Sequence, residues 1–592
     1  MQLSEKLSKL RLKMEQSGVN ACIIPSGDPH LSEYPANHWK IREWISGFTG
    51  SAGTLVVTND FAGLWTDSRY YLQASEQLDA NYIQLFKDGL PDVPDIPKWL
   101  SQNLNDGQIV GINNMLFSDK YVNDLLNTLK TKNISIEQNF RGTEEIWQMR
   151  PLMPQEVITT VPEHLTGFSR VEKLNQVREE MKKENVNYYV TVALDEIAWV
   201  LNLRGTDVEY NPVFYSYLVI SQDDARLFVD PHKLSSHNAN ILSSEKITLH
   251  LYEHFYSFLE DLPENSTVLI DASKINMAVS VAISKKSKLK RADSIIANLK
   301  TIKNQTEIEN IRLTMIKDGI ATSKFLAWLH KNINEGTITE LSASQQLTEY
   351  RKDQSGFVGE SFETISAYGE HGAIVHYCVS PESDVPLKPE GIYLSDSGGQ
   401  YITGTTDITR TVALGKVPEQ AKIDYTLVLK GHIAIAEAVF PVGTRGVHID
   451  SFARIALWKH GLNYGHGTGH GVGYYLNVHE GPQTIRPQDN GVTLKPGMVT
   501  SNEPAIYRNG EYGIRIENLI LCVEKEETQY GKFLGFETLT LCPLEKSLIR
   551  KDLLTESEIL WINNYHKRVY ETLTQHLPCD CQEWLKEKTQ PI

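Results

Sequence analysis

Two stretches in the last third of this chain each set a pair of carboxylates on either side of a turn, and that pattern limits what the chain can fold into. Residues 391–397 (GIYLSDS) and 405–413 (TTDITRTVA) read as strands joined by the Gly-containing turn GGQYITG. Residues 498–507 and 512–523 repeat the arrangement around RNGE. A hairpin sets residues of its two arms side by side. Asp396 is therefore expected to meet Asp407, and Glu503 to meet Glu517. Four carboxylates brought close together repel and cannot all stay ionised unaided. Two divalent cations would balance them.

Three further features belong to the same argument. Side chains of alternate strand residues share a sheet face, so Arg515 is expected to face the same way as Glu517 and steady the cluster. Residues 465–473 (GHGTGHGVG) hold five glycines in nine positions. That density argues for a loop rather than a helix, despite the i, i+4 spacing of His466 and His470. His376 in AIVHY and His479 in NVHEGP complete an imidazole set. One of these residues alone would carry little weight, since an Asp in a hairpin is ordinarily a turn residue and a His is ordinarily a hydrogen-bonded structural one. The argument rests on the set Asp396, Asp407, His470, Glu503 and Glu517. One imidazole and four carboxylates form a hard, oxygen-rich ligand set suited to Mn²⁺, and also to Zn²⁺, Co²⁺ or Fe²⁺.

The blocks IVHY, D-S-G, T-x-D-I-T-R-T, H-G-x-G-H-G-V-G, N-V-H-E-G-P, N-E-P and G-I-R-I-E-N occur in this order. Together they resemble the pita-bread metallopeptidase family, and most closely its cytosolic-type aminopeptidase P branch. The resemblance runs along nearly the whole chain and includes LRGTDVEYNPVFYSY at 203–217. It implies that Asp407 and Glu517 bridge two metals, that Asp396 binds one, and that His470 and Glu503 bind the other. A water or hydroxide between the metals would be the nucleophile, with Glu503 as general base. His376, His466 and His479 would line the substrate site, and His479 would meet the scissile carbonyl oxygen or shuttle protons. Val478, Tyr507 and Arg515 match positions near the proline pocket and carboxylate network. The implied activity is hydrolysis of the N-terminal Xaa-Pro bond of peptides with proline second, by a cytoplasmic homodimer holding two divalent ions, Mn²⁺ foremost. The alternatives are a prolidase restricted to Xaa-Pro dipeptides and a non-catalytic pita-bread binding module. The second loses ligand residues that this chain keeps. One departure is GEHG before IVHY, where close relatives have a GPTG-like stretch; it adds His371, expected to face solvent.

The 592 residues predict several domains rather than one core. A net charge of −16 with no long basic run gives no support for nucleic-acid binding. No stretch approaches the roughly 18–20 apolar residues of a membrane span. The N-terminal segment MQLSEKLSKLRLKMEQSG lacks the apolar core and cleavage site of a secretory signal. Six cysteines are sparse for this length. Cys22, Cys378, Cys522 and Cys542 sit in apolar or strand-like settings and are expected to be reduced. Cys579 and Cys581 form a C-x-C too short to suggest a zinc site.

An internal repeat organises the first half. EKLSKLRLKMEQSGVNA (5–21) aligns without gaps to EKLNQVREEMKKENVNY (172–188). Each copy reads as an amphipathic helix followed by an apolar strand, which predicts two related α/β domains in tandem. Their boundary is expected in 141–168, where Pro151, Pro154 and Pro162 interrupt the periodicity. A capping-box pattern at Asn304 and Glu307 opens a long helix to about residue 332. The predicted organisation is 1–150, 151–302, and an α+β catalytic domain of pita-bread fold over 303–592. Within that last domain, Ile449, Phe452, Ala453, Ala456 and Leu457 define one helical face, stopped by Gly461. A C-terminal extension from about 540, helical at 555–576, is expected to serve packing or dimer contact.

Overall fold

The computed structural model describes residues 1–592. The chain divides into two compact units, one of residues 1–162 and 168–298, the other of residues 163–167 and 299–592.

The first unit holds two six-stranded sheets of the same topology. One runs 84–87, 62–66, 54–58, 21–24, 109–111, 135–137 across the sheet; the other runs 247–250, 225–229, 216–221, 188–191, 267–270, 288–291. Parallel and antiparallel pairings match position by position. The residues common to the two copies do the same job in each. Leu7 and Leu174, and likewise Met14 and Met181, are buried. Arg11 Nε donates to the Thr58 carbonyl at 2.9 Å, and Arg178 Nε to the Ser221 carbonyl at 3.1 Å. Both acceptors end the second strand of their sheet. Asn20 Oδ1 accepts the Ile109 N–H at 2.9 Å, as Asn187 Oδ1 accepts that of Thr267 at 2.8 Å.

The second unit holds the long helix Gln305–Asn332, and Asn304 and Glu307 form its reciprocal cap. Its largest sheet has six antiparallel strands in the order 439–441, 531–538, 518–528, 499–502, 469–471, 480–485. A second antiparallel sheet pairs 365–368, 392–397 and 408–413. Helices Glu419–Ala436 and Glu556–Leu573 share one hydrophobic core, to which Tyr425, Val428, Ile562, Val569 and Leu573 contribute. The C-terminal extension is therefore part of the packed unit. The helix Gly446–Trp458 buries Ile449, Ala453 and Leu457, but Phe452 is exposed together with Ile455 and Trp458. The expected apolar face is thus split between the core and the surface.

All six cysteines are free thiols, and Cys378 is exposed rather than buried in an apolar setting. No helix is long and apolar enough to cross a membrane.

Candidate metal centre

The first carboxylate pair forms as the strand pattern dictates. Strands Ile392–Ser397 and Ile408–Ala413 pair with Asp396 opposite Thr409 and Ser397 opposite Ile408. Asp407, one residue before the second strand, lies diagonally from Asp396 on the same face. The second pair differs from a continuous hairpin. Its outer arms pair Val499 with Leu521 through Asn502 with Asn518, and its tip pairs Ala505 with Arg515 through Arg508 with Tyr512. The two ladders belong to different sheets, and the break falls at Glu503–Pro504 and Ile516–Glu517. Pro504 has no N–H to donate to a ladder. Arg515 and Glu517 still face the same way across this break: the Thr409 hydroxyl accepts from Arg515 Nε at 3.2 Å and donates to Glu517 Oε2 at 2.8 Å. Within the cluster Arg515 pairs with Asp396, with Nη2 2.6 Å and Nε 3.0 Å from Oδ2.

His470 lies in a short strand, Gly469–Gly471, not in an open loop. Glycine is needed on both sides of it because the neighbouring strands approach closely. A Cβ at Gly469 would overlap the Ser501 carbonyl, and one at Gly471 would overlap that of Glu480. The His470 Nδ1–H donates to the Gly471 carbonyl at 3.0 Å, which directs Nε2 at the carboxylates. Nε2 lies 3.4 Å from Asp407 Oδ2 and 3.5 Å from Glu503 Oε1. Donor atoms of Asp407, His470 and Glu517 fall within 4.8 Å of one another. Thr409 donates to Glu517 Oε2 at 2.8 Å. Ser501 donates to Glu503 Oε1 and accepts the His470 N–H, each at 3.0 Å.

The electrostatics are those of crowded, buried acids. Burial, reinforced by Asp407, Asp396 and Glu503, pushes the Glu517 carboxyl well above the ordinary carboxylate range. Burial raises Asp396 to about 6; Arg515 opposes this, while Asp407 and Glu503 add to it. Burial would also raise Glu503, but His470, His466 and Arg515 outweigh it and hold Glu503 low. Burial disfavours charge on His470, yet Asp407 and Glu503 raise it to about 9. Protons thus compensate the acids here. Asp396 Oδ1 is buried with no hydrogen-bond partner. An oxygen-rich cage with an orphaned carboxylate oxygen fits divalent cations, which would replace those protons.

The family is shown by the match of the chain to known proteins. A model described as metallopeptidase family M24 matches residues 309–524, and two models described as the creatinase/prolidase N-terminal domain match 6–150 and 149–307 respectively. A C-terminal region of the same peptidases matches 532–592. A probable Xaa-Pro aminopeptidase P of Laccaria bicolor is 43% identical over 606 residues, covering 100% of this chain and 94% of the relative. The chain belongs to metallopeptidase family M24. A probable Xaa-Pro aminopeptidase P of Coprinopsis cinerea is 41% identical, covering 100% of this chain and 98% of that protein. The crystal structure of an X-prolyl aminopeptidase from Caenorhabditis elegans, described as a cytosolic enzyme with a di-nuclear active site, superposes with a TM-score of 0.96 at 35% identity over 100% of both chains. The fold is therefore two creatinase-type α/β domains followed by the α+β pita-bread domain of M24 peptidases.

The M24 site has further residues around the carboxylates. His466 Nδ1–H donates to the Gly467 carbonyl at 2.7 Å, so Nε2 accepts the Tyr507 hydroxyl at 2.8 Å. Tyr507 accepts in turn from Arg515 Nη1 at 2.6 Å. Burial pushes His466 down to about 4. His479 lies edge-to-face on His470, with ring centroids 4.4 Å apart. His376 follows Val375, whose carbonyl accepts from Arg515 at 3.4 Å. Val478 is fully buried. His371 does not face open solvent: its Nδ1 lies 2.9 and 3.0 Å from the two oxygens of buried Glu340, and its ring stacks on Tyr377.

Several supporting residues were missed by reasoning from sequence. Buried Lys300 and Lys303 pair with Glu480, next to His479, at 2.7 and 2.6 Å. Arg454 pairs with Asp450 at 2.6 Å and donates to the Tyr464 and His466 carbonyls, pinning the glycine-rich segment. The i, i+4 spacing of Asp450 and Arg454 was the available signal for that pair. Nothing local in the sequence marks Lys300 or Lys303, because their partner lies far along the chain.

Proposed function

We propose that this chain is a two-cation Xaa-Pro aminopeptidase, releasing the N-terminal residue of peptides with proline in second place. The observation that carries the reading is the convergence of Asp396, Asp407, His470, Glu503 and Glu517, among which one buried Asp396 oxygen has no hydrogen-bond partner. Asp407 and Glu517 would serve both cations, Asp396 one, and His470 with Glu503 the other. When bound, paired cations polarise the scissile carbonyl and lower the pKa of coordinated water toward neutrality. Ser501 and Arg515 fix Glu503 and Asp396 in place. Glu503, held low, is the ionised carboxylate able to take up a proton. His479 stands beside His470 and would stabilise the carbonyl oxygen of the bound peptide.

Proline explains the walls of the site. The Xaa-Pro bond has no N–H and its ring fixes φ near about −65°. His466 stays neutral at physiological pH, so it can pack on an apolar ring without burying a charge. His376, Val478 and Tyr507 would complete that wall. The oxygen-rich donors favour Mn²⁺, with Zn²⁺ and Co²⁺ accepting the same set. The exposed Phe452, Ile455 and Trp458 on one helix support a homodimer. A cytoplasmic location is supported by the description of the C. elegans relative and by six free thiols.

The test compares Xaa-Pro, Xaa-Pro-Xaa and Xaa-Ala-Xaa peptides with the Mn²⁺-loaded protein. Rapid cleavage of Xaa-Pro-Xaa, little of Xaa-Ala-Xaa, and none after N-acetylation is expected. Equal rates on proline and alanine peptides would remove the proline pocket. Activity confined to dipeptides would make the chain a prolidase.

A further inference from the structure

The carboxylate cluster is backed by a buried polar network that ends in the C-terminal extension. At its centre is Arg410, three residues after Asp407 and 3% exposed. Its Nη1 donates to the carbonyls of Glu517 at 2.7 Å and Thr409 at 2.9 Å. Its Nη2 donates to Asn518 Oδ1 at 2.8 Å, to the Cys542 carbonyl at 2.9 Å and to the Tyr565 hydroxyl at 3.0 Å; Nε donates to the Pro543 carbonyl at 3.1 Å. Every acceptor is neutral. A buried guanidinium with no carboxylate partner is costly unless its donors are saturated. Here they are, and part of the saturation comes from beyond residue 540.

The network continues behind the second carboxylate pair. Asn518 Nδ2 donates to His432 Nε2 at 3.0 Å, and the His432 Nδ1–H donates to the Asn502 carbonyl at 3.1 Å. Asn502 and Asn518 immediately adjoin Glu503 and Glu517. The helix Glu556–Leu573 covers this network with two residues one turn apart: Trp561 packs edge-on against His432, and Tyr565 stacks on Trp561. The Tyr565 hydroxyl accepts from Arg410 and lies 2.9 Å from the Cys542 carbonyl, to which it can donate.

We infer that the C-terminal extension positions the metal centre, with Tyr565 acting through Arg410 to hold the Glu517 backbone and the strand Ile408–Ala413 that follows Asp407. This rests on the two-cation reading. Tyr565 touches neither substrate nor cation, so it is a positioning residue. Partners at this remove from a metal typically change affinity or activity by about 10–100-fold when lost.

The test uses the full chain carrying Tyr565→Phe, which removes one hydroxyl and keeps the ring. Tyr425→Phe is the matched control. The Tyr425 hydroxyl is also buried and also binds the extension, accepting the Glu545 N–H at 3.0 Å, but it has no hydrogen bond to Arg410. Mn²⁺ affinity is measured by calorimetric titration of metal-stripped protein, alongside kcat and KM on an Xaa-Pro-Xaa peptide and the melting temperature. Tyr565→Phe should weaken Mn²⁺ binding about 10-fold or more and lower kcat with little change in KM, while Tyr425→Phe keeps wild-type affinity. Wild-type affinity in Tyr565→Phe would overturn the inference. Equal weakening in both variants would also overturn it, since that would be general loosening. A wild-type protein that takes up no Mn²⁺ would overturn the two-cation reading and this inference with it.

Discussion

At the scale of single residues, each acid has a distinct environment and therefore a distinct expected loss. Glu517→Ala or Asp407→Ala deletes a carboxylate offered to both cations, so purified variants should lose most metal by elemental analysis and nearly all turnover. A variant keeping two metals and normal turnover would contradict the bridging assignment. His479→Ala should keep its metal yet lose about 10²-fold in kcat, the usual scale for an acid–base or oxyanion group. Metal content falling to that of His470→Ala would show that His479 is a ligand instead. The sign of the pH effect follows from protons occupying the cation-free site. Glu517 and Asp396 are raised, and His470 is raised to about 9. Cations bind the deprotonated forms, so binding releases protons, and affinity falls as pH drops through about 9 and again through about 6. Calorimetric Mn²⁺ titrations across that range, in buffers of differing ionisation enthalpy, would read both the release and the fall. A pH-independent affinity would mean that these groups do not meet the metal.

At the scale of elements, strands carry the ligands, and their close approach depends on glycine. Gly469→Ala would push the Gly469–Gly471 strand off the Ser501 carbonyl. Overpacking of this kind costs about 1–3 kcal/mol, and here it also moves His470. A lowered melting temperature together with reduced metal content is the expected result; normal metal content would show that the strand tolerates the shift. The paired arms around Asp396 and Asp407 were legible in the sequence because alternation and turn residues are local signals. The capped helix at Asn304 was legible for the same reason. The break between Glu503 and Pro504 was not, since two ladders in different sheets read as one apolar run. Strand alternation assigned Arg515 to the carboxylate cluster but could not say that Asp396 is its partner, because Asp396 lies on a distant strand. Lys300, Lys303, Arg410 and Tyr565 are invisible locally because each acts on residues distant in sequence.

At the scale of the whole molecule, the repeat at 5–21 and 172–188 was readable because its shared residues are fixed by shared geometry. Leu7 and Met14 fill a core, Arg11 ties a strand end, and Asn20 ties a neighbouring strand; Leu174, Met181, Arg178 and Asn187 do likewise. The second unit concentrates the chemistry, and its C-terminal extension joins both its core and the network behind the carboxylates. The central claim is that the five converging side chains hold two cations. Anomalous diffraction from a Mn²⁺-loaded crystal at the manganese edge tests it most directly. Two peaks about 3.5–4 Å apart are predicted, both against Asp407 and Glu517, one also against Asp396 and the other against His470 and Glu503. A single peak, or peaks away from these side chains, would contradict it.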